Sequence, residues 1–124
     1  MGFRDRSKGK ATKTKFSASV GDLDKARLQD RYCGVDLTRI EDAPMRTPVR
    51  LRGEIQGIKV VPRAGSSTLE ATISDGTGKA VAIFLGRRHI TGMTPGRGVV
   101  IEGVGRRTGG RTVLLNPAYT LLVS

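Results

Sequence analysis

From Val49 onward, apolar and polar side chains alternate along the chain. Val49, Leu51, Gly53 and Ile55 interleave with Arg50, Arg52, Glu54 and Gln56, the period-two pattern of a strand with one buried and one wet face. After Gly57 the phase reverses, and Ile58 and Val60 take the apolar positions. A glycine at such a reversal predicts a β-bulge that bends and coils a long strand. Pro62 to Ser67 reads as a loop, and Leu69, Ala71 and Ile73 then face inward opposite Glu70, Thr72 and Ser74 in a second strand. Asp75-Gly76-Thr77-Gly78 supplies a turn whose aspartate uses its carboxylate to bond the backbone. Ala80 to Leu85, apolar on both faces, makes a third strand covered on both sides. The connector from Gly86 to Gly92 is too short for more than a helical turn. Thr94-Pro95-Gly96-Arg97 turns into a fourth strand, Val99 to Val104, followed by a basic loop from Gly105 to Gly110. Val113 to Leu115 opens a fifth strand that Pro117 interrupts before Ala118 to Val123 resumes, which implies an edge or a bulge there.

Before Pro48 the period is helical. Ser19 and Asp22 resemble a capping box with Asp in place of Glu, and Leu23, Ala26, Arg27 and Asp30 recur at helical spacing up to Cys33 and Gly34, predicting a helix over residues 20–33. Its apolar positions, Val20, Leu23, Leu28 and Tyr32, are scattered, so the helix needs the rest of the protein to pack against. Val35, Leu37 and Ile40 lead through Pro44 and Pro48 as an extended connector, because proline disfavours helix at the residue before it. Residues 1–16 carry six Lys or Arg against Asp5 alone, interleaved with Gly, Ser and Thr, the composition of a disordered basic arm. The chain thus divides into a flexible arm over residues 1–18, a helix and connector over 19–47 that pack on the body, and a sheet domain over 48–124.

A chain of 124 residues holds one small core. Its 22 Lys and Arg exceed 11 Asp and Glu to give a net charge of +11, of which residues 48–124 alone carry +7. That excess on the folded part points to a polyanion. One cysteine, Cys33, and one histidine, His89, exclude disulfide and zinc scaffolds, and no metal or cofactor is expected. No apolar run is long enough to span a membrane, and no apolar segment follows Arg4, Arg6, Lys8 and Lys10 to make a secretory signal. The expected location is the cytoplasm. Gly78-Lys79 fails as a phosphate loop, since Ile73 replaces the first glycine and Ala80 the required Ser or Thr. Gly76 and Gly78, like Gly96 and Gly98, lack the third glycine of a dinucleotide fingerprint. A Cys33–His89 catalytic pair has nothing else to support it, and the chain is expected not to be an enzyme.

Five strands, a bulged first strand and a connector between the third and fourth match an all-β, five-stranded Greek-key barrel, the oligonucleotide/oligosaccharide-binding (OB) fold, here with a short N-terminal helix. A five-stranded SH3-like barrel is the structural rival. Asp75-Gly76-Thr77-Gly78 ahead of an apolar strand, followed by Thr94-Pro95-Gly96-Arg97-Gly98-Val99-Val100-Ile101-Glu102-Gly103, resembles OB domains of the anticodon-binding and helicase-wedge groups. Leu69-Glu70-Ala71-Thr72, Gly86-Arg87-Arg88, and Asn116-Pro117 with Tyr119 resemble small stand-alone bacterial OB-fold nucleic-acid-binding proteins. The resemblance covers residues 23–122.

It implies binding along strands two and three, bracketed by the loop after strand one and the loop between strands four and five. Those loops hold Arg63, and Arg106, Arg107 and Arg111; Arg87 and Arg88 follow strand three. These six arginines are expected to converge on one side, with Arg50, Arg52 and Lys59 extending the patch. Arginine suits the task because its planar fork pairs with phosphate and stacks on bases. Phe84 and Tyr119 are the stacking candidates. The implied function is sequence-tolerant binding of single-stranded DNA or RNA by a non-enzymatic module. The alternative is an interaction module that docks on a larger replication, repair or translation protein through an apolar strip of Val81, Ile83 and Leu85, unless the N-terminal helix covers that strip.

Overall fold

A computed structural model describes residues 20–34 and 37–123, apart from the side chain of Arg63. The basic arm, Ser19 of the capping box and Val35 lie outside the described residues. The helix α1 runs Val20–Tyr32, and a single 3-10 turn spans Ile40–Asp42. Six strands follow: β1 (Pro48–Arg63), β2 (Ser66–Ser74), β3 (Lys79–Leu85), β4 (Gly98–Thr108), β5 (Arg111–Leu115) and β6 (Ala118–Leu121).

β1 pairs antiparallel with β2 through its second half and with β4 through its first. β3 pairs antiparallel with β2 and parallel with β5, and β5 returns antiparallel to β4, so the sheet closes on itself. That order, with β1 shared between two neighbours and one parallel pair, is the OB-fold barrel rather than its SH3-like rival. The alternation read along the chain explains why it closes. Leu51, Ile55, Leu69, Ile73, Ala80, Ala82, Phe84, Ile101 and Leu114 all point into one core, to which Ile40 and the connector residues Ile90 and Met93 also belong. Gly53 stands where β1 leaves one partner for the other, and a Cβ there would lie 2.7 Å from the Ser74 carbonyl oxygen. Only glycine permits that approach.

The register of β1 against β2 skips between Ile55 and Gly57, which places the bulge at Gln56 beside the glycine of the phase reversal. Strand five is divided at Pro117: β5 pairs with β3 and β4, and β6 continues along β4 alone. Two loops are shorter than the sequence suggests. Val61, Pro62 and Arg63 pair with Thr68, Ser67 and Ser66, leaving Ala64 and Gly65 as the turn. In the second, β4 runs on through Arg106 and Arg107 to Thr108, opposite Arg111, so the turn is Gly109-Gly110, with φ of 59° and 79°. Paired left-handed glycines form the two-residue turn that matches strand twist, and this prolongs the strands through residues that read as a loop.

α1 rests on the β2–β3 turn and the adjoining part of β1. Leu28 and Tyr32 are buried, whereas Val20 and Leu23 are 84% and 62% exposed, so half of the expected apolar face is not used. Gln29 donates to the Gly76 carbonyl at 2.9 Å. Arg27 bridges Asp24 at 2.9 Å and Glu54 of β1 at 3.0 Å, and these two carboxylates hold its guanidinium well above the ordinary arginine pKa. The helix therefore does not lie over Ile83 or Leu85.

Candidate nucleic-acid interface

Directly opposed residues in a sheet share a face, so the register shows what the outer surface of β1, β2, β3 and β5 presents. One row runs Lys59, Glu70, Ile83, Leu115; the next runs Gly57, Thr72, Val81, Val113, Arg106. Val81 and Val113 are buried, Ile83 is half-buried, and Leu85 and Leu115 are each 48% exposed. The face is thus an apolar floor on β3 and β5, with Glu70 on β2 and cations at its borders.

The six loop arginines do not gather at one rim. β5 runs parallel to β3, with Ala80 opposite Thr112, so the β4–β5 hairpin with Arg106, Arg107 and Arg111 lies at the start of β3. Arg87 and Arg88 follow the other end, where Leu85 pairs with Thr68 and the β1–β2 hairpin returns. The parallel pairing, which alternation along the chain does not reveal, separates the two groups by the length of β3. Six residue steps at about 3.3 Å make that roughly 20 Å. The two groups bracket the face from opposite ends.

At the first end, Lys79 and Arg107 line a cleft of about 260 Å³ with Glu41 and Thr112. Arg46, Arg106 and Arg107 line a second one of about 500 Å³. Arg46 is held there by its backbone, which takes a φ of 64° and donates to the Gly105 carbonyl at 2.8 Å. Arg46 did not stand out in the sequence, being 60 residues from Arg106 and joined to it only by the fold, and Lys79 came up there only in the rejected phosphate loop. At the second end, Arg88 lines a cleft of about 660 Å³ with Pro62, Ser66, Ser67 and Gly86. Arg63 closes β1 beside it, its side chain outside the described residues. Among the described residues, Arg87, Arg88, Arg106, Arg107 and Arg111 are exposed and make no ion pair.

Other expected contributors lie elsewhere. Arg50 is on the outer face of β1 toward β4, paired with Glu102 at 3.0 Å. Arg52 is on the same face, beside the end of α1. Lys59 is on the bracketed face, opposite Glu70. Phe84 is only 4% exposed, because even-numbered positions of β3 face the core, and so it is removed as a stacking residue. Tyr119 packs edge-on against it at 5.6 Å between ring centroids and is 37% exposed.

Asp75 and Cys33 are bound into the β2–β3 turn and its neighbours. The Asp75 carboxylate, 1% exposed as a residue, accepts from Thr77 N and Oγ1 at 2.9 and 2.6 Å and from Ile40 N at 2.9 Å. The Cys33 thiol donates to Asp75, and burial, then the Asp75 charge, push its pKa up, against nucleophilic use. His89 is exposed in the β3–β4 connector. Among the described residues no helix is long and apolar enough to cross a membrane.

The class of protein this geometry defines is an OB-fold barrel with arginines bordering its β2–β3 face. No family model matches the chain. It is 40% identical over 78 residues to the cytochrome c-type biogenesis protein CcmE of Rhizobium etli, a match covering 59% of this chain and 43% of that protein. The chain thus spans less than half the length of that curated relative. A solved replication protein A heterotrimer bound to single-stranded DNA has a chain similar to it with a TM-score of 0.49 and 11% identity, covering 80% of this chain and 78% of that one.

Proposed function

We propose that the barrel is a non-enzymatic module that binds single-stranded DNA or RNA across the β2–β3 face with little sequence preference. One observation carries the reading: five exposed arginines, none in an ion pair among the described residues, stand at the two ends of that face. A cation without a protein partner retains its full attraction for a phosphate, and two groups about 20 Å apart suit a strand running along β3 from one end to the other. With Phe84 in the core, stacking among the described residues of the barrel offers Tyr119 alone, so affinity rests on charge. Titration of fluorescent oligonucleotides across salt tests this. The log–log slope should be about −0.7 per neutralised phosphate, and Arg106→Gln with Arg111→Gln should make it shallower. No binding at low salt refutes the reading.

A second reading, a module that docks on a larger nucleic-acid-processing protein, is favoured by the exposed Leu85 and Leu115 on the same face. Here an Ile83→Asp variant that stays folded should lose its co-purifying partner while Arg106→Gln keeps it. A role like that in the name of the CcmE relative would leave oligonucleotides unbound.

A further inference from the structure

Away from the bracketed face, a small cleft of about 160 Å³ opens where the end of α1 meets β1 and the start of β4. Its lining is Arg31, Tyr32, Arg52, Gly98, Leu122 and Val123, which includes two cations and no acid. Arg52 lines this cleft, and its Nε is buried with no acceptor on the protein, the one side-chain N or O atom in that condition among the described residues. A buried guanidinium N–H without a partner is costly, and native structures seldom keep one unless water, an ion or a ligand completes it.

The surrounding groups explain why the protein does not satisfy Arg52 itself. Glu54, two positions along the same face of β1, is engaged by Arg27 at 3.0 and 3.1 Å and by the Tyr32 hydroxyl at 3.4 Å. The Tyr32 ring lies against Gly98, where a Cβ would come within 3.1 Å of it, and Arg31 sits over that ring at 5.6 Å. The Gly98 and Leu122 carbonyls accept from Leu122 N at 2.9 Å and Arg97 Nε at 2.7 Å. What remains is a pair of guanidinium groups, one with an orphaned donor, around an acid-free space.

We propose that this cleft binds one phosphate group, held by the guanidinium groups of Arg52 and Arg31. Guanidinium forks match the oxygens of phosphate, and two of them balance its double charge. The space holds about five waters at roughly 30 Å³ each, which admits a five-atom phosphate and excludes a buried nucleoside. The ligand is accordingly free phosphate or the terminal phosphate of a monoester whose remainder stays in solvent. The site does not depend on the nucleic-acid reading, since none of the bracketing arginines lines it.

The test follows the arginine Nε–H signals of the full chain by NMR during titration with inorganic phosphate, at constant ionic strength with chloride. The Arg52 signal should move and saturate, and Arg31→Gln, at an exposed position, and Arg52→Gln should each weaken binding about tenfold. The Arg106→Gln, Arg111→Gln double variant should bind phosphate unchanged, so loss of oligonucleotide binding and loss of this site are separable. A simple sugar phosphate competing with inorganic phosphate would identify the monoester source; failure to compete would leave free phosphate as the ligand. No saturable shift, an equal shift with chloride or acetate, or a shift with oligonucleotide but not with phosphate would overturn the proposal.

Discussion

The Asp75 carboxylate accepts the backbone amide of Ile40 at 2.9 Å across 35 residues of chain. With its other oxygen it accepts Thr77 N and Gly78 N at 2.9 and 3.3 Å, so one buried side chain shapes the β2–β3 turn and ties the incoming connector to it. Asp75→Asn replaces an acceptor with an amide donor facing other donors. The expected loss of stability is about 2 to 4 kcal/mol by urea denaturation. A loss within about 0.5 kcal/mol would show that the connector is held by other contacts.

At Gly76, φ is +87° and a Cβ would stand 2.2 Å from the Lys25 carbonyl oxygen. Gly76→Ala should therefore push α1 off the barrel. Hydrogen exchange should show the α1 amides losing protection while those of β2 and β4 keep theirs; uniform loss would mean that helix and barrel unfold together.

Burial and the neighbouring Asp75 raise the Cys33 pKa above its ordinary value. Because the folded state holds this proton more tightly, its contribution to stability is complete below the ordinary thiol range and is lost as pH rises through the raised value. Alkylation by iodoacetamide, followed by mass spectrometry, should be slower than in the unfolded chain at pH 8 and should climb at higher pH. A folded chain reacting at the unfolded rate would remove the Asp75 contact from the account.

If both arginine groups hold one strand, oligonucleotide length matters. Affinity should rise steeply up to the length that reaches both ends of β3 and level off beyond it. OB folds take about 4 to 16 nucleotides. Below that length, Arg87→Gln with Arg88→Gln and Arg106→Gln with Arg111→Gln should act on separate binding events. A smooth increase without a break, measured by fluorescence anisotropy, would place the two groups on different tracks.

Tyr119→Ala removes the edge-on contact with Phe84 and should cost about 1 kcal/mol beyond the lost area. Thermal melting would register it. A large fall in oligonucleotide affinity with little loss of stability would instead assign Tyr119 to base stacking.

Much of the barrel was legible in the chain because alternation is a local property: each inward residue of β2, the bulge beside Gly57 and the break at Pro117 follow from which neighbours can share a face, whereas β3, apolar on both sides, hid that Phe84 points into the core. Turn chemistry was harder. Gly109-Gly110 extended two strands through Arg106 and Arg107, since a tight hairpin gains ladder hydrogen bonds that an open loop forgoes.

The order of partners was not in the pattern at all. Period two says which side of a strand is buried and nothing about which strand lies beside it, so the parallel pairing of β3 with β5 had to come from the closed barrel. That pairing sends Arg106, Arg107 and Arg111 to one end of β3 and Arg87 and Arg88 to the other. The antiparallel pairing of β1 with β4 brings Arg46 to Arg106, and closure against α1 leaves Arg52 Nε without an acceptor on the protein. Amino-acid order determined the strands and their buried faces through local sterics and hydrophobicity; the meeting of distant cations was decided by closing the sheet.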